Sequence, residues 1–340
     1  MTSRAEGRHG RLATLLAIGL LLLGGATVLG LAIGNRALPL ADVLGALAEH
    51  DDSDAAIIVW EQRLPRTLLG VIIGAALGVG GALAQGITRN PLADPALLGV
   101  SAGAALGIVT GTMLLGVTTL PPQIALASLG AALVGGTVLA LAGFGKGPTS
   151  SVSLALIGLA FSSLVISIVS VLVLLDAQTL DEYRYWLVGA LVARGTPTLL
   201  TIAPVLLAGL LVTALMVRGL DALALGDDVA SGLGVRVGRV RLVAGACVIL
   251  LTATAVAAAG PIGFVGLVVP HAARAITGPR HAWLLPYAAV LGATLLVAAD
   301  VLGRVVVRPA ELQVGVVTAL VGAPLVLILL RRSRIAGATL

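Results

Sequence analysis

The sequence predicts an all-α polytopic membrane protein with about ten transmembrane helices. Three observations predict it. Of 340 residues, 58% are hydrophobic and only 11% are charged, more apolar surface than a soluble core of this length needs, so the excess must face lipid. The apolar residues also fall into runs of about 20, the length that spans a hydrocarbon core. Finally, the chain carries 44 glycines, and small residues let membrane helices approach closely.

Taken in order, the spans lie near 12–33, 66–88, 96–116, 122–143, 151–175, 198–217, 239–258, 262–277, 283–303 and 312–330. The first is too long for a signal-peptide core and lacks a convincing cleavage site, so it is expected to be retained. The second opens on two arginines flanking Leu64-Pro65 and is rich in Gly and Ala. Between it and the third lies Arg89-Asn90-Pro91-Leu92-Ala93-Asp94-Pro95, which must turn tightly because a residue before proline is biased away from helix. Gly147-Pro148-Thr149-Ser150 is a second such turn, with Thr149 or Ser150 able to cap the fifth span. The eighth span is short, and AGPIGFVGLVVPHAAR at 259–274 breaks it with Gly and Pro. Broken helix inside a membrane is tolerated where its backbone is buried in protein or lines a cavity. His271 and Arg274 then fall at its far end, where capping or partner contact is a better reading than catalysis.

These spans form a single transmembrane domain, 12–330, between short tails at 1–11 and 331–340. Two connections are long enough to contain structure: 35–62, with Glu49, Asp51, Asp52 and Asp54, and 176–197, with interfacial aromatics Tyr183, Tyr185 and Trp186. The connection at 218–238 suits two short helices broken by Gly226, Gly232 and Gly234. Spans two to five and seven to ten carry a weak echo of an inverted repeat.

Ten spans put both termini on one side. With the N-terminus inside, the inner segments hold 14 of the 21 basic residues and 5 of the 16 acidic ones. That bias predicts cytoplasmic termini. It also accounts for the net charge of +5 without a nucleic-acid partner, and the scarcity of aromatics argues against base stacking. The single Cys247 excludes an intrachain disulfide, and no His/Cys cluster suggests zinc. No metal or cofactor is expected.

Arg63 and Arg66 sit three apart at the outer mouth of the second span, where a helical entry lets both guanidiniums meet one acidic partner. By spacing alone, interfacial anchoring is the simpler account. Arg304 follows Asp300 at i+4, as in a local helix pair. Yet arginines clustered on an otherwise acidic outer face suit a docking site. No span carries a central carboxylate for ion coupling, since Asp94 and Asp300 fall near span ends. No phosphate-cradling loop occurs, because Gly145-Lys146 is followed by Gly147. No nucleophile constellation stands out either. The chain is therefore not expected to be an enzyme, and its energy source is expected in another subunit.

Further motifs, ordered along 38–330, carry a resemblance. They are Arg63-Leu-Pro-Arg66; Gln85; Arg89-Asn-Pro-Leu-Ala-Asp-Pro95; Leu98-Gly-Val-Ser-Ala-Gly-Ala104; Trp186 with Gly189; Leu225-Gly-Asp-Asp-Val-Ala230 with Leu233-Gly-Val235; Ala259-Gly-Pro-Ile-Gly-Phe-Val-Gly-Leu267; Pro270-His271 with Arg274; Asp300 with Arg304; and Glu311-Leu312 with Val314-Gly315. In these the chain resembles permeases of the bacterial iron-siderophore, haem and cobalamin ABC importers, the type II importer family. Gln313 departs from the family's usual proline.

The resemblance implies a type II importer permease fold in the bacterial cytoplasmic membrane. It implies two permease copies, or one with a paralogue, around a central path. Cytoplasmic ATPase subunits would dock below, and an extracytoplasmic substrate-binding protein above. Arg63, Arg66 and Arg304 would grip acidic residues of the binding protein. Leu225, Gly226, Asp227, Asp228, Ala230, Leu233 and Gly234, within a coupling segment at 219–237, would seat on the ATPase. Asn90, Leu92, Thr149 and Ser150 would form the cytoplasmic gates. The expected cargo is a ferric siderophore, with haem or cobalamin as alternatives. An ion-driven secondary transporter is the rival class, and it lacks the carboxylate pair it would need. On this reading, reversing Arg63 and Arg66 to Glu abolishes uptake and leaves the chain folded.

Overall fold

The computed structural model describes residues 2–34, 38–49, 53–91, 93–141, 151–191 and 195–337. The expected gate residues Leu92, Thr149 and Ser150 lie outside them. The chain opens with α1 (Thr2–Ala32) and α2 (Leu40–Ala48), followed by α3 (Asp54–Ile57), whose first turn is capped by the Ser53 hydroxyl accepting from the Ala56 amide. This helix runs without interruption through a π-helical stretch, Ile58–Arg63, into α4 (Leu64–Thr88). A 3-10 turn at Pro95–Leu98 then leads to α5 (Val100–Leu115), α6 (Leu120–Leu141), α7 (Ser151–Leu175), α8 (Ala177–Leu187) and α9 (Thr196–Leu215). Two short helices, α10 (Val217–Ala224) and α11 (Asp227–Gly232), precede α12 (Val237–Ala259), α13 (Val265–Thr277), α14 (His281–Val306) and α15 (Val314–Gly337).

Each of the ten expected spans falls on one of these helices. Among the described residues, seven are long and apolar enough to cross a membrane; α5, α13 and the apolar part of α15 are shorter. Helix α1 begins at Thr2 and α15 continues to Gly337, so residues 11 and 330 do not mark breaks in helix.

Helix α4 occupies the middle. Of its apolar window, 83% is buried, and of that of α12, 72%; the corresponding values for α1, α7 and α9 are 11%, 22% and 28%. The first two are wrapped by other helices, whereas the other three leave leucines exposed on the outside of the bundle. Glycine permits the central packing. A Cβ at Gly74 would sit 2.8 Å from the Ala293 Cα of α14, and one at Gly81 would sit 2.6 Å from the Gly266 Cα of α13. Both neighbours are backbone and cannot yield, so side chains there would push the helices apart.

Candidate functional site

The end of the bundle where α1 ends and α4 begins is called apical here, the opposite end basal. At the apical end the last turn of α1 has carbonyls with no intrahelical partner, at the negative pole of the helix dipole. Two arginines take them. Arg63 Nη1 donates to the Leu31 and Ala32 carbonyls at 2.6 and 2.8 Å, and Arg304 Nη1 to those of Gly30 and Ile33 at 2.9 and 2.8 Å. Arg304 Nη2 also lies 2.8 Å from Asp300 Oδ2. Arg66 turns elsewhere: it donates to Asp300 through Nε and Nη2 and to Glu311 Oε2 through Nη1 at 2.8 Å.

Within the chain, Arg63 and Arg66 therefore take different acceptors. Arg63 ends the π-helical stretch, where the Leu64 amide bonds back to Val59, five residues earlier, and Arg66 lies in the first turn of α4. With Arg63 and Arg304 exposed by only 6% and 2%, a carboxylate arriving from outside would have to displace acceptors already in place. The Asp300–Arg304 pair, by contrast, forms locally as i+4 spacing suggests.

Midway along the bundle, α12 stops at Ala259. Residues 260–264 are unwound, with positive φ at Gly260 and, unusually for a non-glycine residue, at Phe264. The freed backbone is met by protein, because the Ala190 amide donates to the Ala259 carbonyl at 2.7 Å. The same α8–α9 connection holds the start of α15, where the Gly315 amide donates to the Gly189 carbonyl at 3.0 Å. Pro261 and Gly263 line an open apolar groove of about 750 Å³ with Leu187, Gly315, Ala319 and Ala323. Broken backbone thus lines a cavity, as the Gly/Pro pattern predicts.

At the basal end, Arg89 caps α4 in a left-handed conformation and starts the turn, closed by the Ala93 amide donating to the Asn90 carbonyl at 3.1 Å. Asp94 caps the 3-10 turn by accepting from the Ala96 amide. Burial nevertheless pushes the Asp94 carboxyl above its ordinary pKa. Gln85 ties α4 to α13, donating to the Leu267 carbonyl and accepting from Arg274 Nη1 at 2.9 Å.

The two expected short helices are α10 and α11, with Gly226 between them at a φ of 110° that only glycine adopts readily. Of the seven expected coupling residues, Leu225, Asp228, Leu233 and Gly234 are exposed and Gly226 is half-buried. Ala230 is buried, and Asp227 turns inward onto Arg89 and Arg241. Both therefore serve the inner face of the segment. Val229, inside the expected coupling segment but not singled out by sequence reasoning, is exposed, as are Leu225 and Leu233. Among the described residues, no three His, Cys, Asp or Glu side chains gather as a metal site.

An apolar helical bundle, an unwound segment beside an apolar groove, and exposed apolar side chains in the α9–α12 connection suit a membrane transport protein. The profile of the FecCD transport family matches residues 20–332, and the chain belongs to that family. It is similar to the ferric enterobactin transport system permease protein FepD of Escherichia coli, 44% identical over 94% of this chain and 95% of that one. It is also similar to the hemin transport system permease protein HmuU of Yersinia pestis, 39% identical over 96% of this chain and 98% of that one. Among solved structures, an inward-facing metal-chelate type ABC transporter superimposes with a TM-score of 0.80 at 30% identity, covering 94% of this chain and 99% of that one. The chain is thus a multi-pass inner-membrane permease of a metal-chelate type ABC importer. Its relatives are transport permeases and not enzymes.

Proposed function

We propose that this permease conducts a ferric siderophore across the cytoplasmic membrane. Two copies, or this chain and a paralogue, form the path. ATPase subunits seat on the basal end, which faces the cytoplasm, and a substrate-binding protein delivers cargo at the apical end. The likeness to a ferric enterobactin permease along nearly the whole chain supports the cargo. The groove beside residues 260–264 suits a conduit, since its small apolar walls offer no charged group to hold cargo in transit.

The observation that carries the machinery is the exposure of Leu225, Val229 and Leu233 in the segment joining α9 to α12, because exposed apolar side chains in a connecting segment call for a protein partner. Asn90 gates the basal mouth from the turn that follows α4, together with Leu92, Thr149 and Ser150. At the apical end Arg66, less enclosed than Arg63 and Arg304, exchanges its bonds to Asp300 and Glu311 for a carboxylate of the binding protein, while the other two hold α1. Haem is the second reading, supported by the likeness to a hemin permease.

Uptake by proteoliposomes holding the permease, its ATPase and its binding protein tests the cargo. Ferric siderophores are expected to accumulate only with ATP; haem accumulating instead would transfer the assignment. Replacing Leu225 and Leu233 by Asp is expected to release the ATPase on purification, and its retention would refute the seat.

A further inference from the structure

The inner face of the proposed ATPase seat carries two carboxylates, and each holds the end of a membrane helix. Asp227, the first residue of α11, pairs with Arg89, the residue that caps α4. It also accepts from Arg241 of α12, with Nη1 and Nη2 each 3.0 Å from a carboxylate oxygen. Arg89 reaches α10 as well, donating from Nε to the Leu223 carbonyl at 3.1 Å. Asp221 of α10 accepts the backbone amide of His281 at 2.6 Å and lies 3.0 Å from its Nδ1. His281 is the first residue of α14, where an anion satisfies an orphan amide at the positive pole of the helix.

These attachments are selective. They reach α4, α12 and α14, of which α4 packs against both of the others in the middle of the bundle. They also reach the turn that carries Asn90, since Arg89 is its first residue. The neighbouring carboxylate, Asp228, is exposed on the opposite side. A segment of two short helices with a glycine between them has little stiffness of its own. Without such ties it could shift under a load and leave the membrane helices where they were.

We propose that Asp227 and Asp221 are the positioning residues that transmit motion of the α10–α11 segment to α4, α12 and α14, and through Arg89 to the turn at the basal mouth. This rests on the reading that Leu225, Val229 and Leu233 seat on the ATPase. Asp227 joins α11 rigidly to the end of α4, so ATP-driven displacement of α11 carries the Asn90 turn with it. Asp221 steers α14 by its amide end, so both walls of the Gly74–Gly292 contact move together.

The test compares Asp227→Asn and Asp221→Asn with Asp181→Asn, at an exposed carboxylate of α8, in complete complexes reconstituted into proteoliposomes. The two inward variants are expected to co-purify with the ATPase at parental stoichiometry and to hydrolyse ATP. Uptake per ATP hydrolysed is expected to fall about tenfold, within the range that one substitution along a linkage produces. Asp227→Glu, which keeps the charge, restores part of the loss, and Asp181→Asn leaves the ratio unchanged. A parental ratio in both inward variants overturns the proposal, as does loss of the ATPase from either. A second measurement uses the parental side chains of the link: spin labels at Ser231 and Ala96, both exposed, report the distance between α11 and the basal turn with and without ATP. A constant distance supports the link, and one that changes on ATP binding overturns it. Failure of the ATPase seat itself is read separately, from the Leu225→Asp and Leu233→Asp pair.

Discussion

Replacing Arg304 by Met should loosen α1 from the bundle. The side chain supplies two charged hydrogen bonds to the Gly30 and Ile33 carbonyls and a 2.8 Å contact to Asp300. Hydrogen bonds involving a charged group contribute about 1.5–3 kcal/mol each, and breaking a buried ion pair costs about 3–5 kcal/mol. Asp300 keeps its contacts to Arg66 Nε and Nη2, so the carboxylate is not orphaned and the lower part of that range applies. Methionine fills most of the vacated volume, which limits the cavity contribution. A loss of about 3 kcal/mol is expected, roughly a hundredfold in the unfolding equilibrium.

Denaturation titrations in mixed micelles would read the global effect. A cysteine at Ala32, introduced with Cys247→Ala, would report detachment of α1 as faster labelling. If Arg304→Met matches the parental chain in both readouts and fails only to bind a soluble partner, the clamp reasoning is wrong. The same geometry revises the expectation for charge reversal. Glutamate at 63 would face the Leu31 and Ala32 carbonyls, and glutamate at 66 would face Asp300 and Glu311. That double variant is now expected to lose folded protein as well as uptake.

Three further perturbations follow from individual contacts. Gly81→Ala places a methyl 2.6 Å from the Gly266 Cα and should cost about 1–3 kcal/mol in the same micelle titration; an unchanged midpoint would mean that α4 and α13 are not held this close. Tyr287→Phe removes a 2.6 Å bond from the Tyr287 hydroxyl of α14 to the Leu12 carbonyl of α1, with an expected loss of about 1 kcal/mol and faster hydrogen exchange near residue 12. Asp176, which caps α8, is held below the ordinary carboxylate pKa by the Thr179 hydroxyl and amide. Its contribution is complete above the unfolded pKa of about 4 and is lost as pH falls through the lower folded value. Protection of the Thr179 amide should therefore drop in acid in the parental chain and stay flat in Asp176→Asn.

By itself the sequence determined the architecture. A lipid core demands the same apolar length of every span and forbids unsatisfied backbone within it, so run length located ten helices and the Gly/Pro cluster at 259–263 located the break. Short-range spacing also held where both partners share one regular helix, as for Asp300 with Arg304. The two-helix form of the segment at 218–238 was legible for the same local reason, since Gly226 punctuates it. What only the tertiary structure decided is which distant groups meet. The acceptors of Arg304 lie at Gly30 and Ile33, those of Arg66 at Asp300 and Glu311, and the partner of Asp227 at Arg89. Residues 63 and 66, three apart in sequence, take acceptors from different parts of the chain. Ala230 and Asp227 were turned inward because α11 lies against the ends of α4 and α12. Charge and exposure near a helix end depend on what packs there, and packing among membrane helices is set by close backbone approaches such as Gly74 with Gly292, not by the side chains whose roles were at issue.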